Sequence, residues 1–497
     1  MKFYNTKTRN KDQFKPLSSR EVKVYFCWPT PYNFAHIWNL KTYVWNDIVV
    51  KTLKFLGYNV KTTMNITDID DKTIRDSGKV WEKLLSFTKK YTEAFIEDIE
   101  KLWIEKTDNI VPISGLIPEM VRMINTLLRK WYAYLSDDGS VYFSIKKFKK
   151  YWQLANLDMG WMKESVRIDN DEYDKDNAWD FALWKVWNKS DWENFWEWTF
   201  EIPQPNSLIQ GEETVTKEVV VKWRPGWHIE CSACNMKYFG KQIDLHMWWI
   251  DNLFPHHQNE VAQTEWCTWK EFSKYWIHHW HLTVNGKKMS KSAWNFYTLR
   301  DLEEKFSKVD KSILYRAIRL NFINWKYRSS IDLSFEKIEA NINNVTSIDE
   351  TLKNLKNYNP SSANEWTTKD FSDYMQDIIQ SYSSHLEDDF NVPEVLVLVY
   401  DLLKFVNIWI RNNDFSKEEV DSILDMFKTI NYVLWIFDFT VLEKEYNIPS
   451  DILEKLEDRN DAKKNKDFSL ADKLRNEIES LGYKIVDSRE GSRVEKI

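Results

Sequence analysis

The chain has 497 residues, more than one compact domain ordinarily holds, and its 43% hydrophobic and 29% charged residues are those of a globular protein. No apolar run reaches membrane-spanning length, and the polar start from Met1 to Asn10 lacks the apolar stretch of a signal peptide. A net charge of -7 argues against wholesale nonspecific nucleic-acid binding, and four cysteines are too few for a disulfide scaffold, so metal-binding or catalytic thiols in a reducing cytoplasm are expected.

Val22 to Phe26 is a β-branched and aromatic run that reads as a buried strand ending in a turn at Cys27-Trp28-Pro29-Thr30. Tyr43 to Leu56 has helical spacing with Gly57 placed as a C-cap, and Tyr58 to Ile66 reads as a second strand. Strand, helix and strand in that order predict a βαβ unit and a parallel sheet. Glu82 to Ile104 and Ile117 to Leu135 have helical periods, and a hairpin-like stretch follows at Asp137 to Phe143. From Lys146 to Lys222 charge is dense and helical periodicity weak, as in an insertion. Lys311 to about Tyr446 is helical throughout, which predicts a bundle. One further helix is expected from Ser469 to Leu481. The fold expected is α/β: a Rossmann-type parallel-sheet domain in two halves (1–115 and 223–310) around an insertion (116–222). A helical bundle (311–450) and a small C-terminal subdomain (451–497) complete it.

Three groups of residues suggest chemistry. Cys27 follows a strand, Cys231 follows a strand-like run, and His256 and Glu260 are spaced i, i+4 on one helix face. Two thiolates, an imidazole and a carboxylate can make a tetrahedral zinc set, although Cys231 and Cys234 also form a CxxC pair, and buried cysteines are often simply small hydrophobes. Lys287 to Ser292 puts three lysines and two hydroxyls in one short loop, suited to clamping phosphates or to lying solvated on the surface. His36 stands at the start of the first helix, where it can meet a phosphate or serve as a structural cap.

Together, His36-Ile37-Trp38-Asn39 and Lys288-Met289-Ser290-Lys291-Ser292 resemble the two signatures of class I aminoacyl-tRNA synthetases. The surrounding segments narrow the resemblance to the cysteinyl-tRNA synthetase family. Cys27 to Asn39 is similar to its CGPTVYNxAHIGN, Asn65 to Lys72 to NITDIDDK, Gly226 to Ser232 to GWHIECS, and Asp244 to Glu260 to DIHxGGxDLxFPHHxNE. Asp388 to Glu394 matches DDFNxPE and Asp458 to Asp472 matches ERNxAxKxKDFxLAD, so the resemblance spans nearly the whole chain. It implies ATP-dependent ligation of L-cysteine to tRNA(Cys) through cysteinyl-adenylate, by a cytoplasmic monomer without membrane attachment. The implied ligands of one Zn2+ are Cys27, Cys231, His256 and Glu260. The residues implied for ATP, with Mg2+, are Thr30, His36, Asn39, Lys288, Met289, Ser290, Lys291 and Ser292; His36, Lys288 and Lys291 are catalytic. Thr67, Trp227 and His246 are implied near the bound cysteine. Asp70 and Asp71 read instead as helix caps. The basic stretch Arg459, Lys463, Lys464, Lys466 and Arg475 is expected to meet tRNA phosphates. Two other readings are a cysteine ligase of thiol-cofactor synthesis, which would not keep the C-terminal subdomain, and an inactive zinc- or RNA-binding paralogue.

One feature departs from that family. The chain has 11 glycines and 27 tryptophans, whereas glycine ordinarily makes up about 7% of a protein. Trp28, Trp38, Trp223, Trp248, Trp249, Trp280 and Trp294 stand at family glycines, and Trp152 and Trp269 look like further cases. Trp227 and Trp276 stand where the family itself has tryptophan. Some bacterial lineages decode UGA as glycine, and another table decodes it as tryptophan. Translation by the wrong table would put tryptophan at a subset of glycines and leave the catalytic residues intact, whereas genuine decay would scatter many residue types.

Overall fold

The computed structural model describes residues 1–27, 29–148, 150–156, 180–191, 193–203, 216–284, 286–288, 295–358, 368–412, 415–442, 449–488 and 491–496. Residues 1–351 and 358–437 form one compact unit; residues 352–357 and 438–497 form a second.

The first unit opens with a hairpin, β1 (Lys2–Asn5) and β2 (Asn10–Gln13). β3 (Val22–Phe26), α1 (Ile37–Phe55) and β4 (Val60–Ile66) form the expected βαβ unit, extended by α2 (Asp71–Lys79), α3 (Leu84–Lys101) and β5 (Asn109–Pro112). The chain then leaves this sheet. α4 (Ile117–Arg129) leads into β6 (Ala133–Leu135), β7 (Val141–Phe143), β8 (Phe181–Val186), β9 (Trp196–Pro203) and β10 (Thr216–Pro225), an antiparallel sheet ordered β6-β7-β8-β10-β9. The helix expected over Ile117 to Leu135 therefore stops at Arg129, and its last residues become a strand. The insertion that lacked helical periodicity contains strands.

α5 (Trp227–Tyr238), β11 (Ile243–Trp249), α6 (Gln258–Thr268) and β12 (Ser273–His279) return the chain to the first sheet. That sheet is ordered β12-β11-β3-β4-β5 with every neighbouring pair parallel. Its strand order reverses between β3 and β11, and open α/β sheets bind ligands at the strand ends beside such a switch point. A small sheet follows, made of β13 (Leu282–Val284), β14 (Lys287–Lys288) and β15 (Ile331–Leu333), with α7 (Leu299–Lys305) and α8 (Lys311–Ile323) between the last two strands. The helical region continues with α9 (Phe335–Lys356), α10 (Thr368–Glu387), α11 (Val392–Asn412) and α12 (Lys417–Leu434). Ser416 and Glu419 start α12 with reciprocal capping bonds. The second unit holds α13 (Ser450–Lys464), α14 (Phe468–Ser480) and the hairpin β16 (Tyr483–Ser488) and β17 (Gly491–Lys496), packed around Ile452, Leu456, Ile478 and Val494. Arg459 is buried there and donates to Ser492 Oγ at 2.8 Å, so it belongs to that core and leaves the basic surface to Lys463, Lys464 and Lys466. Among the described residues no helix is long and apolar enough to cross a membrane.

α1 is the spine of the first unit and is buried from Ile37 to Leu53 without a solvent face. Several of its polar side chains are paired, as buried polar groups generally are. Lys41 Nζ donates to the Trp280 carbonyl at 2.7 Å, and Asn46 Oδ1 lies 2.8 Å from His279 Nε2. Asp47 takes both Lys51 and Arg319, and the Arg319 guanidinium also reaches the Leu434 and Leu102 carbonyls. Removing one member of a buried ion pair strands the other charge, typically at a cost of about 3–5 kcal/mol. Arg319→Met is expected to lower the unfolding free energy by that amount in urea titration. A midpoint unchanged from the parent protein would show that the pair contributes little.

Candidate active site

The four candidate ligands named from the sequence converge at the switch point. Cys27 directly follows β3, and its carbonyl accepts from Tyr43 Oη of α1 at 2.6 Å. Cys231 lies one turn into α5 rather than after a strand, because the chain turns from β10 into that helix at Pro225-Gly226. Only glycine fits the turn: a Cβ on Gly226 would stand 2.2 Å from the Ala182 carbonyl oxygen. His256 falls in an irregular turn, Leu253–His257, that runs into α6 at Gln258, so the i, i+4 pair with Glu260 bridges the turn and the helix.

All four side chains are buried, with donor atoms within 4.8 Å of one another. Cys27 Sγ and Cys231 Sγ are 3.5 Å apart, Cys231 Sγ and His256 Nε2 are 3.5 Å apart, and His256 Nε2 is 3.0 Å from Glu260 Oε1. Ligands about 2.0–2.3 Å from a tetrahedral ion are separated by such distances. Glu260 Oε1 makes no hydrogen bond among the described residues, whereas Oε2 meets His246 Nε2 at 2.9 Å. Burial opposes ionisation of Cys231, yet the hydrogen bond from Cys27 and the adjacent His256 bring its pKa down to about 6. Burial likewise opposes the Glu260 carboxylate, and His246 and His256 hold it at about 2. Anionic sulfur and oxygen donors around one point, with Glu260 Oε1 facing only His256 Nε2, fit a soft divalent cation. Cys234 is buried with its pKa pushed up by burial and by Cys231, as a neutral thiol, and Cys267 lies outside the cluster.

A second set, Cys27, His246, His257 and Glu260, satisfies the same distance limit. We favour the first because Cys27, Cys231 and His256 line the open cleft, while His246 stands fully buried behind Glu260. The cleft, open to solvent, spans about 920 Å³ of non-protein space and is also walled by Thr30, His36, Asn39, Thr67 and Trp227. Trp227 stacks on the His256 ring, with centroids 4.2 Å apart. His36 caps α1, its Nδ1 accepting from Asn39 N at 3.2 Å, so the structural role and a place on the cleft wall coexist. Thr67 donates to Glu230 at 3.1 Å and accepts from Asn65, whose Oδ1 accepts from Tyr25 Oη.

Several expectations change. Asp70 does cap α2, but Asp71 pairs with Lys185 of β8 and Arg224 of β10. Lys288 ends β14, while Met289, Ser290, Lys291 and Ser292 lie outside the described residues, as do Trp28 and Trp294. Trp248 and Trp249 stand on the cleft wall, and Trp249 packs against His36 (8° from parallel, centroids 5.9 Å apart) and against Trp38 (centroids 5.1 Å apart).

The surrounding histidines were not singled out from sequence, although they lie in the quoted motifs or beside them. His228 Nδ1 is 3.0 Å from His256 Nδ1, which directs His256 Nε2 toward the other donors. On the far side His257 Nδ1 meets His278 Nε2 at 2.9 Å, and His278 Nδ1 meets Thr6 Oγ1 at 2.8 Å. Partners of this kind orient ligands, and their loss typically weakens a metal site about 10–100-fold. His228→Ala should lower zinc affinity by that factor in competition with a chromophoric chelator. Unchanged affinity would remove His228 from the site.

Residues 13–203 and 210–343 match the family model described as tRNA synthetases class I (C) catalytic domain. The chain is 38% identical over 493 residues to a cysteine–tRNA ligase of Brachyspira hyodysenteriae, covering 98% of both proteins. It is 37% identical to that of Chlamydia felis, covering 99% of this chain and 97% of the relative. Among solved structures it is similar in fold to Mycobacterium tuberculosis methionyl-tRNA synthetase in complex with methionyl-adenylate (TM-score 0.55, 11% identity, 86% of this chain and 92% of that one). The LeuRS ternary complex of Agrobacterium radiobacter K84 is also similar (TM-score 0.58, 9% identity, 86% of each chain). A parallel sheet with its donor cluster at the switch point, and full-length likeness to these relatives, place the chain in the cysteine–tRNA ligase family of class I aminoacyl-tRNA synthetases.

Proposed function

We propose that this protein activates L-cysteine with ATP and transfers it to tRNA(Cys), and that zinc held by Cys27, Cys231, His256 and Glu260 selects the amino acid. The observation that carries this reading is the convergence of those four donors at the sheet's switch point, with Cys27, Cys231 and His256 lining the cleft. Zinc would supply an open coordination position for a thiol sulfur, which a hydroxyl fills far less well. A site built around one specific bond rejects a substrate lacking it by large factors. The second compact unit, and coverage of 98% of the Brachyspira relative, favour the synthetase over a cysteine ligase without that unit.

The protein's own part is to position reactants and stabilise charge. Thr67 and Trp227 border the cleft beside Cys231 and His256, where cysteine would lie; His246 supports the site through Glu260. The cysteine carboxylate attacks the α-phosphate of ATP, pyrophosphate leaves, and the 2′-hydroxyl of the terminal tRNA adenosine then takes the cysteinyl group. Thr30, His36 and Asn39 face the phosphates from the start of α1, with Mg2+ accompanying ATP. Lys288, Met289, Ser290, Lys291 and Ser292 close from the other side. Residues 1–115 and 223–310 carry catalysis, 116–222 is the connecting insertion and 311–450 the bundle. Within 451–497, exposed Lys463, Lys464 and Lys466 meet the anticodon end. The protein works as a cytoplasmic monomer.

The test is cysteine-dependent exchange of pyrophosphate into ATP, followed by charging of tRNA(Cys). A form with glycine at positions 28, 38, 223, 248, 249, 280 and 294 should exchange, and in that form Cys231→Ser should lose metal and exchange together while Cys234→Ser keeps both. Equal loss in the two variants would show that the wrong cysteine was assigned. Absence of exchange with full zinc loading would overturn the activity.

Lys291 is proposed to act after ATP has bound. A contact made only in the transition state raises kcat without lowering KM. Lys291→Ala in the same form should slow exchange at least about 100-fold with little change in ATP KM. A large rise in KM at unchanged kcat would make it a ground-state binding residue instead.

A further inference from the structure

Ten described residues other than glycine have positive φ, and five of them are tryptophan: Trp81, Trp103, Trp131, Trp269 and Trp435, at φ between 52° and 62°. Left-handed backbone suits glycine and, to a lesser degree, Asn and Asp; for a bulky side chain it is an outlier. All five stand at helix ends. Trp81, Trp103 and Trp131 follow α2, α3 and α4, and Trp269 and Trp435 end α6 and α12.

The local hydrogen bonding is that of a glycine stop. After α1, Gly57 N donates to Lys54 O and Tyr58 N to Leu53 O, the paired bonds of a Schellman motif. The same pair recurs with tryptophan in the glycine place. Trp81 N meets Gly78 O and Glu82 N meets Ser77 O; Trp103 N meets Glu100 O and Ile104 N meets Ile99 O; Trp131 N meets Leu128 O and Tyr132 N meets Leu127 O. Gly240 and Gly482 end α5 and α14 in left-handed conformation, so this chain uses glycine for the task wherever glycine is written. Lys466 after α13, and Asp389 and Phe390 after α10, show that other side chains can stand left-handed past a helix end. Lys466 is flexible and exposed, Asp is among the residues that tolerate this backbone, and Phe390 is held by full burial. Trp81 is 83% exposed and Trp269 63%, so most of each indole stays in water even though Trp269 touches Trp266 and Lys130.

We infer that Trp81, Trp103, Trp131, Trp269 and Trp435 occupy positions the fold builds for glycine, and that the cell making this protein decodes all five codons as glycine. Four of them lie outside the motif positions that first suggested such a substitution, and backbone conformation rather than family resemblance selects them. The conclusion does not depend on the proposed activity. Left-handed helix ends and close-packed motif positions are unrelated demands. One residue type fails both, and glycine meets both. A shared codon explains that coincidence, whereas independent mutations to tryptophan would have to fall repeatedly on glycine sites.

The experiment has two arms. In the first, the gene is sequenced and tryptic peptides of the protein from its own cells are weighed. UGA is expected at all five positions and UGG at Trp227 and Trp276, and each of the five peptides should be lighter by the difference between the tryptophan and glycine side chains. UGG at the five positions, or peptides with tryptophan mass, would overturn the inference. In the second arm the chain with tryptophan is the parent. Trp81→Gly and Trp269→Gly should each shift the folding equilibrium about tenfold toward the native state, and Trp81→Ala and Trp269→Ala should recover much less of it. Alanine performing as well as glycine would show that the backbone does not demand glycine there and would equally overturn the inference.

Discussion

The Asp47 carboxylate, buried in the middle of α1, accepts the Lys51 ammonium and the Arg319 guanidinium on one oxygen and the Glu105 amide on the other. Arg319 carries the connection on to the ends of α3 and α12 through the Leu102 and Leu434 carbonyls. One carboxylate thus ties the spine of the parallel sheet to the helical region. That arrangement is costly to desolvate, and it holds only because each charge has several partners. What it secures is the direction of α1. The N-terminal end of the same helix presents His36 and Asn39 to the cleft, and Tyr43 one turn further on holds the carbonyl of Cys27.

The donor cluster depends on that fixed spine because its members come from three distant segments. Cys27 arrives at the end of β3, Cys231 within α5, and His256 and Glu260 around the start of α6. The antiparallel insertion separates the first from the rest in sequence and returns the chain through Gly226, where the backbone passes too close to Ala182 for any side chain. Parallel sheets require such long crossings, and the crossings here place all four donors at one end of adjacent strands.

The βαβ start, the long helices and the four donors were legible because their signals are local or carried by long motifs. What was illegible depends on partners far away in sequence. Asp71 has the sequence context of a cap, yet it pairs with Lys185 and Arg224, which nothing nearby announces. Arg459 sits in a basic stretch and reads as surface, but Ser492 draws it into the second unit's core. The helical period that starts at Ile117 runs on past Arg129 in sequence, while the chain itself turns at Trp131 and enters β6. Periodicity could not mark that stop because the residue that ordinarily signals it, glycine, is not the one written there.

The line Thr6–His278–His257 behind the cluster has a further property. Burial lowers the pKa of both histidines, so each carries one ring proton. With two neutral imidazoles and a hydroxyl in series, the protons point one way or the other along the whole line. The Thr6 hydroxyl can donate or accept, so it is compatible with either direction and needs only to rotate. In one direction His257 Nε2, which has no hydrogen bond among the described residues, presents a lone pair beside His246 and Glu260; in the other it presents N–H. The two arrangements differ in no heavy-atom position, so the polarity felt behind the donor cluster is a two-valued quantity that a rotating hydroxyl in the N-terminal hairpin accommodates either way.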